Sequence, residues 1–218
     1  MSDLHPFIGK QVEVTLSGNN MYTGTFIDTG SDVMVLSHEQ RFFYIPLVHV
    51  QNLKTLQSDE DIGLPPEVPI DFQTDSLSFR KILQHAKGSF VEIYITGNKT
   101  IHGYLTSIMN DYFVFYSPLY KAMFISMNHV KWLVPYSSDA TPYSLATQFL
   151  SPTNISLSRT FAEQCKRLEG NLVVFDSGDN PNKIGLLQKA NSQFMELIIA
   201  DGNKQIWNIH HLKTVYMP

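Results

Sequence analysis

Cysteine is almost missing from these 218 residues: Cys165 is the single one. That excludes an internal disulfide framework and a cysteine-based zinc site. Basic residues are scarce as well, 16 Lys and Arg against 20 Asp and Glu, for a net charge of −4. No general electrostatic pull toward nucleic acid or an anionic membrane follows from such a balance. No window approaches the roughly 18 uncharged apolar residues of a membrane span. The start, "MSDLHPFIGK", lacks the basic and apolar regions of a secretion signal, so a protein made and kept in a cytoplasm is expected.

What the chain does contain is a phrase used three times: "PLVHVQNL", "SMNHVKWL" and "NIHHLKTV". Aligned on a first glycine (Gly9, Gly88, Gly170), each copy has a second glycine fifteen residues on, at Gly24, Gly103 and Gly185. Between them lie Gly18, Gly97 and Gly178, and forty or forty-one residues after the first glycine comes His49, His129 or His211. Landmarks that keep register three times identify an internal repeat. The copies span about 7–54, 87–135 and 168–218.

Each copy reads as β-structure. In "QVEVTL", Val12, Val14 and Leu16 alternate with Gln11, Glu13 and Thr15, the period of a half-buried strand. "VEIYI" and "LVVFD" take the same place in the other copies. The hairpins "SGNN", "TGNK" and "SGDNPN" supply residues that tolerate positive φ. Strand two carries the second glycine inside it, which marks a bulge or sharp bend. "VMVLS", "YFVFYS" and "QFMELIIA" read as strand three, "RFFYIP", "KAMFIS" and "KQIWNI" as strand four, and the histidine phrase as a short fifth strand. Five short bent strands describe a small open barrel.

Helices are predicted ahead of copies two and three. "SLSFRKILQHAKG" places Leu77, Ile82, Leu83 and Ala86 on one face and ends at Gly88 as a C′ residue. "SLSRTFAEQCKRLEG" does the same with Leu157, Phe161, Cys165 and Leu168, ending at Gly170, so Cys165 is expected to be a buried small hydrophobe. Five segments result: repeat 1 over 1–54, an acidic proline-containing linker over 55–75, helix and repeat 2 over 76–135, a loop over 136–155, and helix and repeat 3 over 156–218. The linker holds six acids and no Lys or Arg, the composition of a solvated spacer.

A helix followed by five bent strands with a glycine in strand two resembles the Sm-like fold of Sm proteins and the bacterial RNA chaperone related to them. The resemblance implies three tandem Sm-like small open β-barrels. Sm-type RNA sites carry an Arg-Gly or Lys-His pair after strand four, whereas the corresponding positions here read "IPL", "ISM" and "NIH". The repeats are also similar to those of the bacterial spore coat protein B family, whose units close on an aromatic–Ile–x–x–His–Ile/Val–Lys–Ser–Ile phrase. "YIPLVHVQNL", "FISMNHVKWL" and "WNIHHLKTV" look like that phrase. The family's Ser/Lys/Arg-rich tail has no counterpart in this sequence, so nothing about tail phosphorylation carries over. The resemblance implies a non-enzymatic structural protein, made in the mother cell and placed in the spore coat or on the outer spore surface. Its partners would be other coat proteins or further copies of itself, joined through edge strands.

Metal or proton chemistry at His49, His129 and His211 is the sharper alternative, because imidazole suits both. A ligand cluster needs carboxylates or further histidines nearby, and copies one and two supply neither, so a structural role is expected. RNA binding is the other alternative, since bases stack on aromatics beside a basic groove. Phe42, Phe43, Tyr44, Tyr112, Phe113, Tyr116 and Trp132 are available, yet copy one sets Lys10, Arg41 and Lys54 against Glu13, Asp28, Asp32 and Glu39. No catalytic constellation, cofactor motif or metal set stands out. The stretch "YFVFYSPLYKAMF" holds more apolar side chains than one small barrel hides, which nominates Tyr112, Phe113, Phe115, Tyr116 and Tyr120 for an interface with a neighbouring repeat or a partner.

Overall fold

A computed structural model describes residues 4–56, 77–97, 99–137, 140–144 and 155–218. The expected linker falls almost wholly outside the described residues. Among the described residues, fifteen strands and two short α-helices make the fold mainly β. Packing divides the chain into two units, Met1–Ile101 with Val130–Asp139, and His102–His129 with Ala140–Pro218. The division passes through the second copy, which the repeat boundaries alone do not reveal.

In the first unit, β1 (Gln11–Leu16), β2 (Asn20–Thr29), β3 (Val33–His38), β4 (Arg41–Pro46) and β5 (Val50–Thr55) form copy one. They pair antiparallel in the order β4-β3-β2-β1-β5. Valine and leucine alternation fixes the register of β1, for Val12, Val14 and Leu16 are completely buried and the residues between them are not. Helix α1 (Phe79–His85), β6 (Phe90–Thr96) and β10 (Trp132–Pro135) complete the unit, with β10 lying between β6 and β4. Leu77, Ile82, Leu83 and Ala86 all turn inward, as their spacing predicts.

Strand β7 (Lys99–Ile108) carries the chain onward. The second unit holds β8 (Tyr112–Ser117), β9 (Lys121–Ser126), helix α2 (Phe161–Lys166), β11 (Leu172–Phe175), β12 (Ile184–Ala190), β13 (Phe194–Ile198), β14 (Lys204–Asn208) and β15 (Thr214–Tyr216). Copy three repeats the order of copy one as β14-β13-β12-β11-β15. Phe161, Cys165 and Leu168 lock into a core with Tyr112, Phe124 and Val173. Burial pushes the Cys165 thiol well above its ordinary range, which keeps it protonated and inert.

Two expectations need correction. Gly88 and Gly170 are not the C′ residues of the helices. Ala86 and Arg167 cap them, and each glycine stands further on at φ near +80°. There the chain turns into strand one, with the Gly170 N–H donating to Leu187 O at 2.8 Å, as Gly9 does to Phe26 O. Nor do the histidines lie on the fifth strand. His49, His129 and His211 each end a 3₁₀ turn (Leu47–His49, Met127–His129, Ile209–His211) that precedes it.

The second glycines have one shared cause. A Cβ on Gly24 would stand 2.3 Å from the Ser37 carbonyl oxygen, on Gly103 2.1 Å from that of Tyr116, and on Gly185 2.3 Å from that of Ile198. Two residues further on, the register of strand two slips by one in all three copies: between Phe26 and Asp28, Leu105 and Ser107, and Leu187 and Lys189. A strand that presses its backbone onto its neighbour and then bulges bends sharply, and only a residue without a side chain allows that approach. Gly24→Ala and Gly185→Ala are therefore each expected to lose about 2–3 kcal/mol, the upper range for overpacking. Gly170→Ala, with nothing within 4 Å, should lose about 1 kcal/mol from its positive φ alone. Urea unfolding midpoints measure both, and equal losses at Gly24 and Gly170 would remove close approach as the cause.

Candidate functional site: the seams and the open strand edges

Strand four of copies one and two meets the fifth strand of the copy that follows. Across the first seam, β4 pairs with β10, Tyr44 opposite Leu133. Across the second, β9 pairs with β15, Phe124 opposite Val215. Counting from each histidine, Tyr44 and Phe124 hold the same position of strand four, and Leu133 and Val215 the same position of strand five. One register is used twice. All four side chains are at most 1 % exposed.

A second contact repeats beside the first. The Ser31 N–H donates to Leu77 O at 2.9 Å, and the Asp32 carboxylate accepts the Phe79 N–H at 2.8 Å. In the later copy, the Asn110 N–H donates to Arg159 O at 3.1 Å, and Asp111 accepts the Phe161 N–H at 2.8 Å. Each acid thus holds the first N–H of the helix that leads into the next copy, one of the four donors a helix cannot satisfy itself. Ser78 and Thr160 serve as the N-caps proper, Thr160 with Glu163 in a capping box. Copy three has Gln193 in place of the acid, and among the described residues no helix packs there as α1 and α2 do at Asp32 and Asp111.

The aromatic candidates are spent inside the fold. Tyr112, Phe113 and Phe115 are fully buried within the chain. Tyr112 does face a neighbouring repeat: its hydroxyl donates to Ser158 O at 2.7 Å, with Gln164 Oε1 at 3.0 Å, and its ring packs on Phe161. Tyr120 meets Tyr216 of copy three with ring centres 5.4 Å apart, while Tyr116 packs on Tyr104 of its own copy at 5.5 Å. Phe43, Trp132 and Tyr94 form a cluster at the first seam, and the Trp132 indole N–H donates to the Tyr22 hydroxyl at 2.9 Å. Of the seven aromatics available for base stacking, only Tyr116 is not buried.

The three histidines belong to separate copies and separate surroundings. His49 is half-buried with Nδ1 3.2 Å from Ser17 Oγ, His129 is half-buried, and His211 is exposed. Among the described residues, no group of three or more His, Cys, Asp or Glu side chains is placed to hold a metal ion. A cleft of about 890 Å³ lies between the β3–β4 turn, the end of α1 and residues 135–137. The Arg41 and Glu92 side chains on its wall are joined in an ion pair.

Two strands stand at the ends of the strand order among the described residues. β5 pairs with β1 alone and β14 with β13 alone among the described strands. Ile206 on β14 occupies the position of Tyr44 and Phe124, yet it is 60 % exposed. Phe194, equivalent to the buried Val33 and Tyr112, is 42 % exposed. Ile206 and Phe194 escape a reading of composition. Aligning strands three and four of the copies on the histidines sets both beside their counterparts.

Removing a seam acid should matter only where a helix follows it. Asp111→Ala is expected to cost about 1–2 kcal/mol, Asp111→Asn less because an oxygen acceptor remains, and Gln193→Ala nothing beyond about 0.5 kcal/mol. Urea unfolding resolves these three. Alkali supplies a second test, since burial raises the Tyr112 phenol to about 12 from its ordinary 10. Between those values the unfolded chain has lost a proton that the fold keeps, so stability present below pH 10 falls as pH rises through that window. Tyr112→Phe should flatten the fall between about pH 10 and 12 in melts of the two proteins.

A family model described as the YwrJ third domain matches residues 160–215, the span from the cap of α2 to the closing strand of copy three. The Bacillus subtilis (strain 168) protein YwrJ, described as uncharacterized, is 41 % identical over 225 residues, covering 100 % of both chains. With likeness of that extent, the chain belongs to the YwrJ family.

Proposed function

We propose that this chain is a non-enzymatic structural protein that works by protein–protein contact, built from three Sm-like β-barrels and incorporated into the bacterial spore coat. The observation that carries the reading is the pair of seams, where strand four takes the next copy's strand five in one register twice. A fold that joins its own parts by strand addition is suited to joining other chains in the same way. The order 4-3-2-1-5, the glycine-pressed bend and the repeated slip in strand two support the Sm-like assignment. A family description that counts a third domain fits a three-part chain. The spore setting rests on the resemblance of the three closing phrases to spore coat protein B repeats.

The RNA-binding reading is weaker on physical grounds. Phe42, Phe43, Tyr44, Tyr112, Phe113 and Trp132 are buried and cannot stack on bases without unfolding the seams. Phosphate contacts would also have to come from a chain with more acids than bases.

Two measurements test the proposal. A fluorescent fusion followed through the life cycle of the source organism should give signal in sporulating mother cells and then at the spore rim. Steady vegetative expression with no spore signal would overturn the coat assignment. Filter binding to U-rich and A-rich RNA at about 0.15 M salt should show no tight complex, and sub-micromolar affinity with a steep salt slope would restore the RNA reading.

A further inference from the structure

We propose that the chain associates head to tail, β14 of one copy adding to β5 of a second copy in the register of the internal seams, with Ile206 opposite Leu53. The inference rests on the contact-forming role proposed above and specifies its partner, a second copy of this chain.

Leu53 stands four residues after His49, as Leu133 stands after His129 and Val215 after His211. Leu133 and Val215 are fully buried against strand four of the preceding copy, whereas Leu53 is half-buried. Ile206 is the strand-four residue at the matching place. The chain therefore carries both halves of an interface that it already forms twice, and among the described strands neither half meets its complement. The same register sets Gln205 against Lys54, Lys204 against Thr55 and Trp207 against Asn52, so no like charges face each other. Lys204 is held back on its own sheet by Glu196 at 3.1 Å, which removes the usual hindrance of an edge lysine. Because the two halves differ, each copy offers one donor edge and one acceptor edge, and the contact is heterologous.

The test uses full-length protein in analytical ultracentrifugation over a range of micromolar concentrations. Wild type is expected to gain mass as concentration rises. Ile206→Lys and Leu53→Lys should each weaken association about tenfold or more, while circular dichroism and the thermal midpoint stay near wild type. Mixing the two variants is the discriminating step. Ile206→Lys retains a sound β5 and Leu53→Lys a sound β14, so the mixture should form a one-to-one dimer that grows no further. A wild type that stays monomeric, single variants that associate like wild type, or a mixture with no complex would each overturn the inference. Spore-rim signal from a monomeric wild type would end head-to-tail pairing and leave the coat assignment standing. Head-to-tail pairing without spore signal would do the reverse.

Discussion

The close approach at the second glycine of each copy is the contact on which the rest of the structure depends. With a Cβ little more than 2 Å from a backbone oxygen, strand two could not lie where it does against strand three. The slip two residues later uses that proximity to turn the strand, so one half of it pairs mainly with strand one and the other mainly with strand three. From this bend follows the order 4-3-2-1-5, and from the order follows which strands are left at the edges. Strands four and five are the two that a copy pairs on one side only, and they are the two that make the seams. A local steric condition thereby sets the mode of assembly.

At each seam an apolar strand contact stands beside a polar one with a different task. Tyr44 with Leu133 and Phe124 with Val215 remove side chains from water, which is where the larger free energy lies. Asp32 and Asp111 add only about 1 kcal/mol each, the worth of one hydrogen bond to a helix N-terminus. Their effect is positional. An acid at the start of strand three fixes where the next helix begins, and the helix then delivers Phe79 or Phe161 to the core. The acid is found in the two copies that have a successor and is replaced by Gln193 in the one that does not.

Much of this was legible in the sequence, for reasons that can be located. Strand one of copy one was readable because Val12, Val14 and Leu16 alternate cleanly, and strand four because β4 and β9 begin and end with their apolar runs. The glycine in strand two announced its bend, since no other residue fits there. The 3₁₀ turns at His49, His129 and His211 were not legible, because three residues are too few for any periodicity to appear. The apolar excess of the stretch from Tyr112 to Phe124 signals cover from a neighbouring repeat or a partner without saying which. The compact units divide the second copy, and α2 gives Tyr112 a neighbour from the next one. Hydrophobic pattern tells which face of a strand is covered but not which part of the chain covers it.

Copy three shows how the same frame holds without a successor. In copy one the hairpin residue Ser17 meets the His49 turn through one backbone bond and one side-chain contact. In copy three the buried carboxylate of Asp176 takes the Lys213 N–H at 2.7 Å and the Thr214 N–H at 3.3 Å, and forms an ion pair with Lys183. A carboxylate that accepts backbone N–H groups and a lysine together avoids the penalty of an unpaired buried charge. Strand five of the third copy is thus secured by its own hairpin as well as by β9. Its strand four has five registered pairs with β13 and, among the described strands, no second partner. The backbone groups on that open side lose little, because water satisfies them, whereas Ile206 keeps an apolar side chain in water that burial would favour removing. The imbalance is confined to the strand whose two counterparts are both covered, so the third copy is complete as a fold and incomplete as a seam.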